Sequence, residues 1–469
     1  MRTSQRMTVV VAFGLLGALS LRCGAAIVYV DAMGGGDFTT IQEGLNAASD
    51  GDTVLVAAGT YTGDLNRNLD PGLKNAVIMS VGGPLATVVD CEQTGRGFHI
   101  HGGQDNHTVI QGFTVTGGSV LGRGGGISCE AGSSPQIKDC EIVGNTALGE
   151  WPDGVGGGLY LGEGCDATVS DCTFSQNEAV FGGGALILSA SPVVVRTGFI
   201  DNTASSGGGG AACVSASPSF AECELVGNVA AFGGGVACDG GDPSFADCRF
   251  SLNEVQYHGG GMTAHWSAPE LERCIFEENT AGVLGGGVFC ECPGLDAGAR
   301  GDPAPVLIGC ALIGNAAADG GGVFARMGAA PELTGCTLYA NSGSDGGGIS
   351  CWQVAASVTD CIIANSIEGA AVYCCDPGAV PYLRRCVIFD NEGGDVPCGD
   401  FDDILFVDPL FCDATGGELG LCADSPCLPA GNPWGALIGA FGEACGPCAT
   451  AVQTTTWGSI KGMFRDVGD

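Results

Sequence analysis

The sequence predicts an all-β solenoid, a single-stranded parallel β-helix with a capping helix at its N-terminal end. Three observations predict it. A phrase that opens on three glycines and closes on asparagine recurs, and the closing residues Asn177, Asn202, Asn228, Asn253 and Asn279 stand 25 or 26 positions apart. Self-similarity of that length marks stacked supersecondary units. The residues one and three beyond each last glycine are apolar throughout: Ile127, Leu159, Ala185, Ala211, Val236, Met262, then Cys129, Leu161, Ile187, Cys213, Cys238, Ala264, and so on. A spacing of two is strand alternation, so both columns face inward. Glycine makes up 84 of 469 residues without a three-residue period, which excludes collagen.

Residues 1–26 read as a secretory signal. Arg2 and Arg6 precede the apolar run Val9–Leu21, and Gly24, Ala25 and Ala26 are small enough for cleavage. No later apolar run is long enough for a membrane span, so none is expected in the mature chain. The expected location is secreted or at a bacterial cell surface or outer membrane. Twenty-five cysteines follow Cys23, which suits an oxidising compartment.

Residues 27–60 read as an N-terminal cap. Ile27–Val30 is a strand, and Thr39 or Thr40 can cap a short helix with Ile41 and Leu45 on one face, ending at Gly51. Such a helix covers the open end of the core and the edge of the first strand. Residues 61–400 form the solenoid. Its strand-like runs are irregular at first, GFHIH around Phe98 among them, and regular from Gly124. Two steps are long, with ALGEWPDGV inserted around Trp151 and ECPGLDAGARGDPA around Asp296.

The asparagine column Asn177, Asn202, Asn228, Asn253, Asn279, Asn315 and Asn341 is expected to form a structural ladder, each side chain bonding from coil to coil. Five residues before most of these asparagines stands a cysteine, with Thr197 the exception and Cys361 one position off. Within one repeat this gives Cys129/Cys140, Cys213/Cys223, Cys238/Cys248 and Cys351/Cys361, a pattern of possible intracoil disulfides. Bridges between coils, as Cys223 with Cys248, and a column of buried thiols are the alternatives. Residues 401–448 form a Cys-rich C-terminal cap. Trp434, Leu437, Ile438 and Phe441 are expected to plug the core, with Cys412, Cys422, Cys427, Cys445 and Cys448 stapling it. Residues 449–469 are a tail and a possible sorting segment, with Trp457, Ile460 and Phe464 on one helical face.

The glycine phrase, paired with FSQN at Phe174–Asn177 and with FIDN, FSLN and FEEN at the next matching positions, resembles the repeats of chlamydial-type polymorphic outer-membrane proteins. More broadly the chain resembles secreted bacterial proteins with the pectin-lyase-like right-handed β-helix, and the segment from Ile41 to Tyr61 is similar to that superfamily's entry segment. The resemblance implies a right-handed coil. It implies little about activity, because the superfamily holds lyases, hydrolases, epimerases, adhesins and passengers.

Chemistry is sparse. The net charge of −35 argues against nucleic-acid partners and anionic membranes. No metal-ligand spacing and no phosphate-cradling motif stands out, and no cofactor is expected. One outward row, four residues beyond successive triplets, holds Asp239, His265, Glu291, Arg326 and Trp352. Stacked at ~4.8 Å, these are candidate ligand-binding residues for a sugar chain. The function expected is a non-catalytic exported scaffold, adhesin or passenger with glycans or cell-surface components as partners. The alternative is a polysaccharide lyase or glycoside hydrolase on the same fold.

Overall fold

The computed structural model describes residues 25–293 and 304–448. Nearly all of the expected signal segment, the middle of the second insertion with Asp296, and the tail with Trp457, Ile460 and Phe464 lie outside those residues. The chain winds into a right-handed parallel β-helix whose walls are sheets of fifteen, thirteen, eleven and seven strands. Fifteen stacked strands at ~4.8 Å make a rod of roughly 65–70 Å, longer than the eleven to thirteen coils that the clear repeats suggest.

One coil shows how sequence becomes shape. Glu178–Phe181 is a strand of the seven-stranded wall, and the triplet Gly182–Gly184 turns the chain. Ala185–Leu188 enters the eleven-stranded wall, Val193–Val195 the fifteen-stranded wall and Gly198–Ile200 the thirteen-stranded wall. The repeat therefore holds four strands where two apolar runs were legible. The triplet is needed for steric reasons. Gly182 has φ +64°, and a Cβ on Gly183 or Gly184 would lie within 2.6 Å of the carbonyl oxygen of Gly209 or Gly210 in the next coil.

The two corners flanking the thirteen-stranded wall share one device. A residue in the left-handed region, Arg196 (φ 47°) or Asp201 (φ 53°) in this coil, is followed by a side chain directed into the core. At the second corner that side chain is the ladder asparagine. Asn228 Oδ1 accepts from the backbone N–H of Asn202 at 3.0 Å and from its Nδ2 at 3.1 Å. Asn228 Nδ2 donates to Phe199 O at 2.8 Å and to Asn253 Oδ1 at 3.0 Å. The same side-chain bonds run from Asn145 through Asn341, with every member at most 1 % exposed. Ser366 takes the next position and donates its N–H to Asn391 Oδ1, while Asn365 sits in the left-handed corner before it. Cys361 is thus in register, and Asn365 is the displaced residue.

At the other corner the core-facing side chain is the cysteine. The intracoil bridges Cys129/Cys140, Cys213/Cys223, Cys238/Cys248 and Cys351/Cys361 are not formed; all eight are buried thiols. The two members of each pair belong to different stacks. Cys213 stands beside Cys238 of the next coil in the eleven-stranded wall. Cys140, Cys223, Cys248 and Cys361 instead aim Sγ at backbone carbonyls two residues earlier, at 3.1–3.4 Å. Burial pushes the Cys351 thiol up to about 12, so it stays protonated and inert at neutral pH.

Among the described residues, disulfides appear only where stacking ends: Cys374–Cys398, Cys412–Cys445 and Cys422–Cys448. Cys427 remains a thiol. The C-terminal segment is not an end plug. Ile438 is buried with Leu421, Cys427 and Leu428 against Ile362, Ala364 and Val387 on the outer face of the thirteen-stranded wall, while Leu437 is 40 % exposed. Cys398 and Ile404 pack instead against the core. At the other end the helix is Ile41–Ala47, shorter than the segment to Gly51. Thr40 is its N-cap residue but bonds Glu43, and the first helical N–H donates to Asn66 Oδ1 at 2.8 Å. Lys74 Nζ caps the last turn through the carbonyls of Leu45 and Ala48.

Candidate functional site

At the glycine corner the seven- and eleven-stranded walls meet at a concave angle. Residues just before the triplet face residues two and four beyond it across a groove. The pre-triplet column runs Arg123, Val155, Phe181, Gly207, Phe232, His258, Leu284 and Asp319, each paired in register with the next. The facing column includes Tyr160, Leu186, Ala212, Ala237, Thr263, Phe289 and Phe324. Large side chains fill the groove on either side of its middle, burying Tyr160 and Leu186 almost completely. Gly207 and Ala237 leave it unfilled between them, and a cavity of about 250 Å³ opens there.

The cavity is walled by Phe181, Phe232, His258 and Phe289, with Asp239, His265 and Glu291 among its lining. His258 stacks on Phe289 at 4.7 Å, and Phe232 stacks on Tyr257 at 5.1 Å. Trp151 of the first insertion meets Phe181 edge-on at 5.6 Å, so that insertion borders the groove. The second insertion begins at Glu291, and Pro293 O accepts from Trp266 Nε1 at 3.0 Å.

The outward row is paired strand to strand as Asp239, His265, Glu291, Arg326 and Trp352. Four of its members interact in sequence. His265 Nδ1 stands 3.2 Å from Asp239 Oδ1 and its Nε2 3.7 Å from Glu291 Oε1, while Arg326 Nε donates to Glu291 Oε2 at 2.7 Å. Arg326 also lies over the Phe289 ring, 5.1 Å from its centroid. Trp352 is in register but beyond the cavity lining.

Two histidines are driven in opposite directions. The hydrogen bond to Asp239 raises His265 above its ordinary value against a smaller opposing effect of burial. Burial lowers His258, helped by the positive charge of Arg326, and keeps that ring neutral at neutral pH. His258 Nδ1 is shielded from solvent and has no hydrogen-bond partner. The groove thus offers flat apolar rings beside a line of charged hydrogen-bonding groups. The aromatic half, Phe181, Phe232, His258 and Phe289, was missed by alignment on the last glycine of each triplet. Alignment on the residue before the first glycine exposes most of it.

Residues 74–199 and 153–291 match the family model described as "Right handed beta helix region", which agrees with the architecture. No curated protein matches the chain in sequence. Among solved structures, the catalytic unit of the thermostable GH87 alpha-1,3-glucanase from Streptomyces thermodiastaticus strain HF3-3 is 14% identical, with a TM-score of 0.43. That match covers 78% of this chain and 62% of the glucanase unit, so the chain spans less than two thirds of it. Pectate lyase Pel9A is 11% identical over 89% of this chain and 96% of its own, with a TM-score of 0.35. Among the described residues no helix is long and apolar enough to cross a membrane.

Proposed function

We propose that this chain is an exported, non-catalytic β-helix protein of a bacterial cell surface that binds neutral glycans in the groove at the glycine corner. The observation that carries the proposal is the cavity of about 250 Å³ walled by aromatic rings and bordered by Asp239, His265 and Glu291. Sugar rings present apolar C–H faces that pack on aromatics and hydroxyls that pair with carboxylates and imidazoles. The strong negative charge of the chain disfavours polyanionic sugars. Each carboxylate of the row already has a partner, His265 for Asp239 and Arg326 for Glu291, an arrangement suited to holding hydroxyls rather than to delivering a proton.

A second reading follows from one spacing. Asp239 and Glu291 stand two coils apart, roughly 9–10 Å along the stack, at the upper limit of the ~6.5–9.5 Å separation used by inverting glycosidases. One experiment distinguishes the two. The full chain is screened on a neutral-glycan array, and the retained oligosaccharides are then titrated and assayed for new reducing ends. The expected outcome is binding that weakens about tenfold in Phe232→Ala, a change at the exposed rim, with no reducing ends released. Release of reducing ends that stops in Glu291→Gln establishes the hydrolase instead, and retention of no glycan refutes both.

A further inference from the structure

The groove opens again nearer the N-terminal end of the rod. A second cavity of about 330 Å³ is lined there by Arg123, Glu130, Tyr160, Gly162, Glu163 and Leu188. These residues occupy the same columns as those of the first cavity. Arg123 stands in the pre-triplet column with Phe181 and His258, and Tyr160 in the facing column with Phe289. Glu130, Gly162 and Leu188 hold the position four residues beyond the triplet that Asp239, His265 and Glu291 hold further along. The opening has the same cause, because Gly162 puts no side chain into the row between Glu130 and Leu188. Glu130 and Asp239 stand four strands apart, roughly 19 Å along the stack.

Two features join the cavities. Phe181 of the first and Leu188 of the second pack in one apolar cluster with Tyr160 and Leu186, so the surface between them is an apolar ridge. The first insertion stands at that ridge. Its Trp151 meets Phe181 edge-on at 5.6 Å and is 49 % exposed. The carbonyl of the next residue, Pro152 O, accepts from Arg123 Nε at 3.2 Å. One short loop thus touches a wall of each cavity and holds a half-exposed indole between them. The apolar C–H face of a sugar ring can cover such an indole.

Charge favours a neutral occupant here as well. Arg123 Nη1 donates to the Tyr160 hydroxyl at 3.2 Å, and its Nε lies 3.7 Å from Asp153, so the cation is held and offset. Glu130 accepts from Ser128 Oγ at 3.0 Å, and Glu163 is exposed. Both carboxylates can accept from hydroxyls, and both repel an anionic chain.

We propose that the two cavities and Trp151 form one extended site for a neutral oligosaccharide several units long, which lies along the rod with its middle against the indole. This site rests on the glycan reading of the groove and adds the length of the occupant. A chain seated in the first cavity reaches the second without a further encounter, so affinity grows with chain length.

The test measures, by calorimetry on the full chain, the affinity for cello-, malto-, laminari- and manno-oligosaccharides from the disaccharide to the octasaccharide. In the class that binds, affinity should rise about tenfold or more between the disaccharide and the hexasaccharide. Trp151→Ala should remove most of that gain. The loss in Glu163→Gln, a change at an exposed position, should likewise grow with chain length, whereas Phe232→Ala should weaken binding at every length. Affinity that stays flat beyond the disaccharide, or that rises equally in Trp151→Ala and Glu163→Gln, overturns the extended site and leaves the single-cavity reading in place. Binding of none of these oligosaccharides overturns both.

Discussion

Replacing Asn228 by alanine tests the asparagine ladder, and its cost can be worked out from the bonds lost. The backbone N–H and Nδ2 of Asn202 lose their acceptor, Phe199 O loses a donor, and Asn253 Oδ1 loses one of two. The position is 0 % exposed, so water does not replace these partners at once. At ~1–3 kcal/mol for each buried group left unpaired, and with Asn202 Nδ2 retaining Phe174 O, the loss comes to roughly 3–6 kcal/mol. Aspartate at the same position preserves shape but directs a carboxylate at Phe199 O and Asn253 Oδ1. Burial raises its folded pKa, so the Asn228→Asp protein should recover stability as pH falls and the carboxyl regains a proton. Serine, which occupies the equivalent position at Ser366, should cost less than alanine. Urea denaturation combined with native-state hydrogen exchange at Thr203 and Val229 reads both global and local loss. An Asn228→Ala protein within 1 kcal/mol of the parent would refute the ladder as a stabilising element.

Further outcomes follow from the groove and the core. His265 is raised by Asp239, so its stabilising contribution is complete below the unfolded value near 6.5 and is lost as pH rises through the higher folded value. A melting temperature that declines from pH 6 to 8 in the parent but not in His265→Gln is expected; identical profiles would count against the pairing. His258 is lowered by burial, so it destabilises the fold as pH falls below its unfolded value, and His258→Phe should flatten the acid side of the same profile. Iodoacetamide without reductant should label the half-buried Cys375 before the fully buried Cys213, Cys223, Cys238 and Cys248, which should react only after unfolding. A peptide linking Cys213 to Cys223 would contradict the thiol stacks.

Much of the fold was legible because a stack repeats its constraints. The residue after each triplet must be apolar in every coil, and the ladder position must be asparagine or a residue that fits its bonds. The same regularity misled at the edges. Asn365 looks like a ladder residue because asparagine also favours the left-handed corner one position earlier, so Cys361 looked displaced. Cysteines ten or eleven residues apart suggested bridges, although their directions are set by different walls. Ile438 read as a plug because an apolar residue near the end of a chain does not say which surface it covers. The groove was half legible. Charged residues on a strand stand out, whereas Phe232 and His258 gain meaning only when the concave corner brings them opposite Phe289.

The closed exchange of hydrogen bonds within the ladder makes each coil a removable unit. Excising residues 203–228 would join Asn202 to Val229 and leave the donors of Asn202 facing Asn253 Oδ1, with the glycine corner and core columns still in step. The same cut would remove Gly207, a small residue of the cavity lining, and would bring Phe232 against Phe181. A chain shortened by one coil would therefore keep its architecture and lose the cavity. Length in this protein sets more than reach, because the count and order of the coils determine where the groove has a gap.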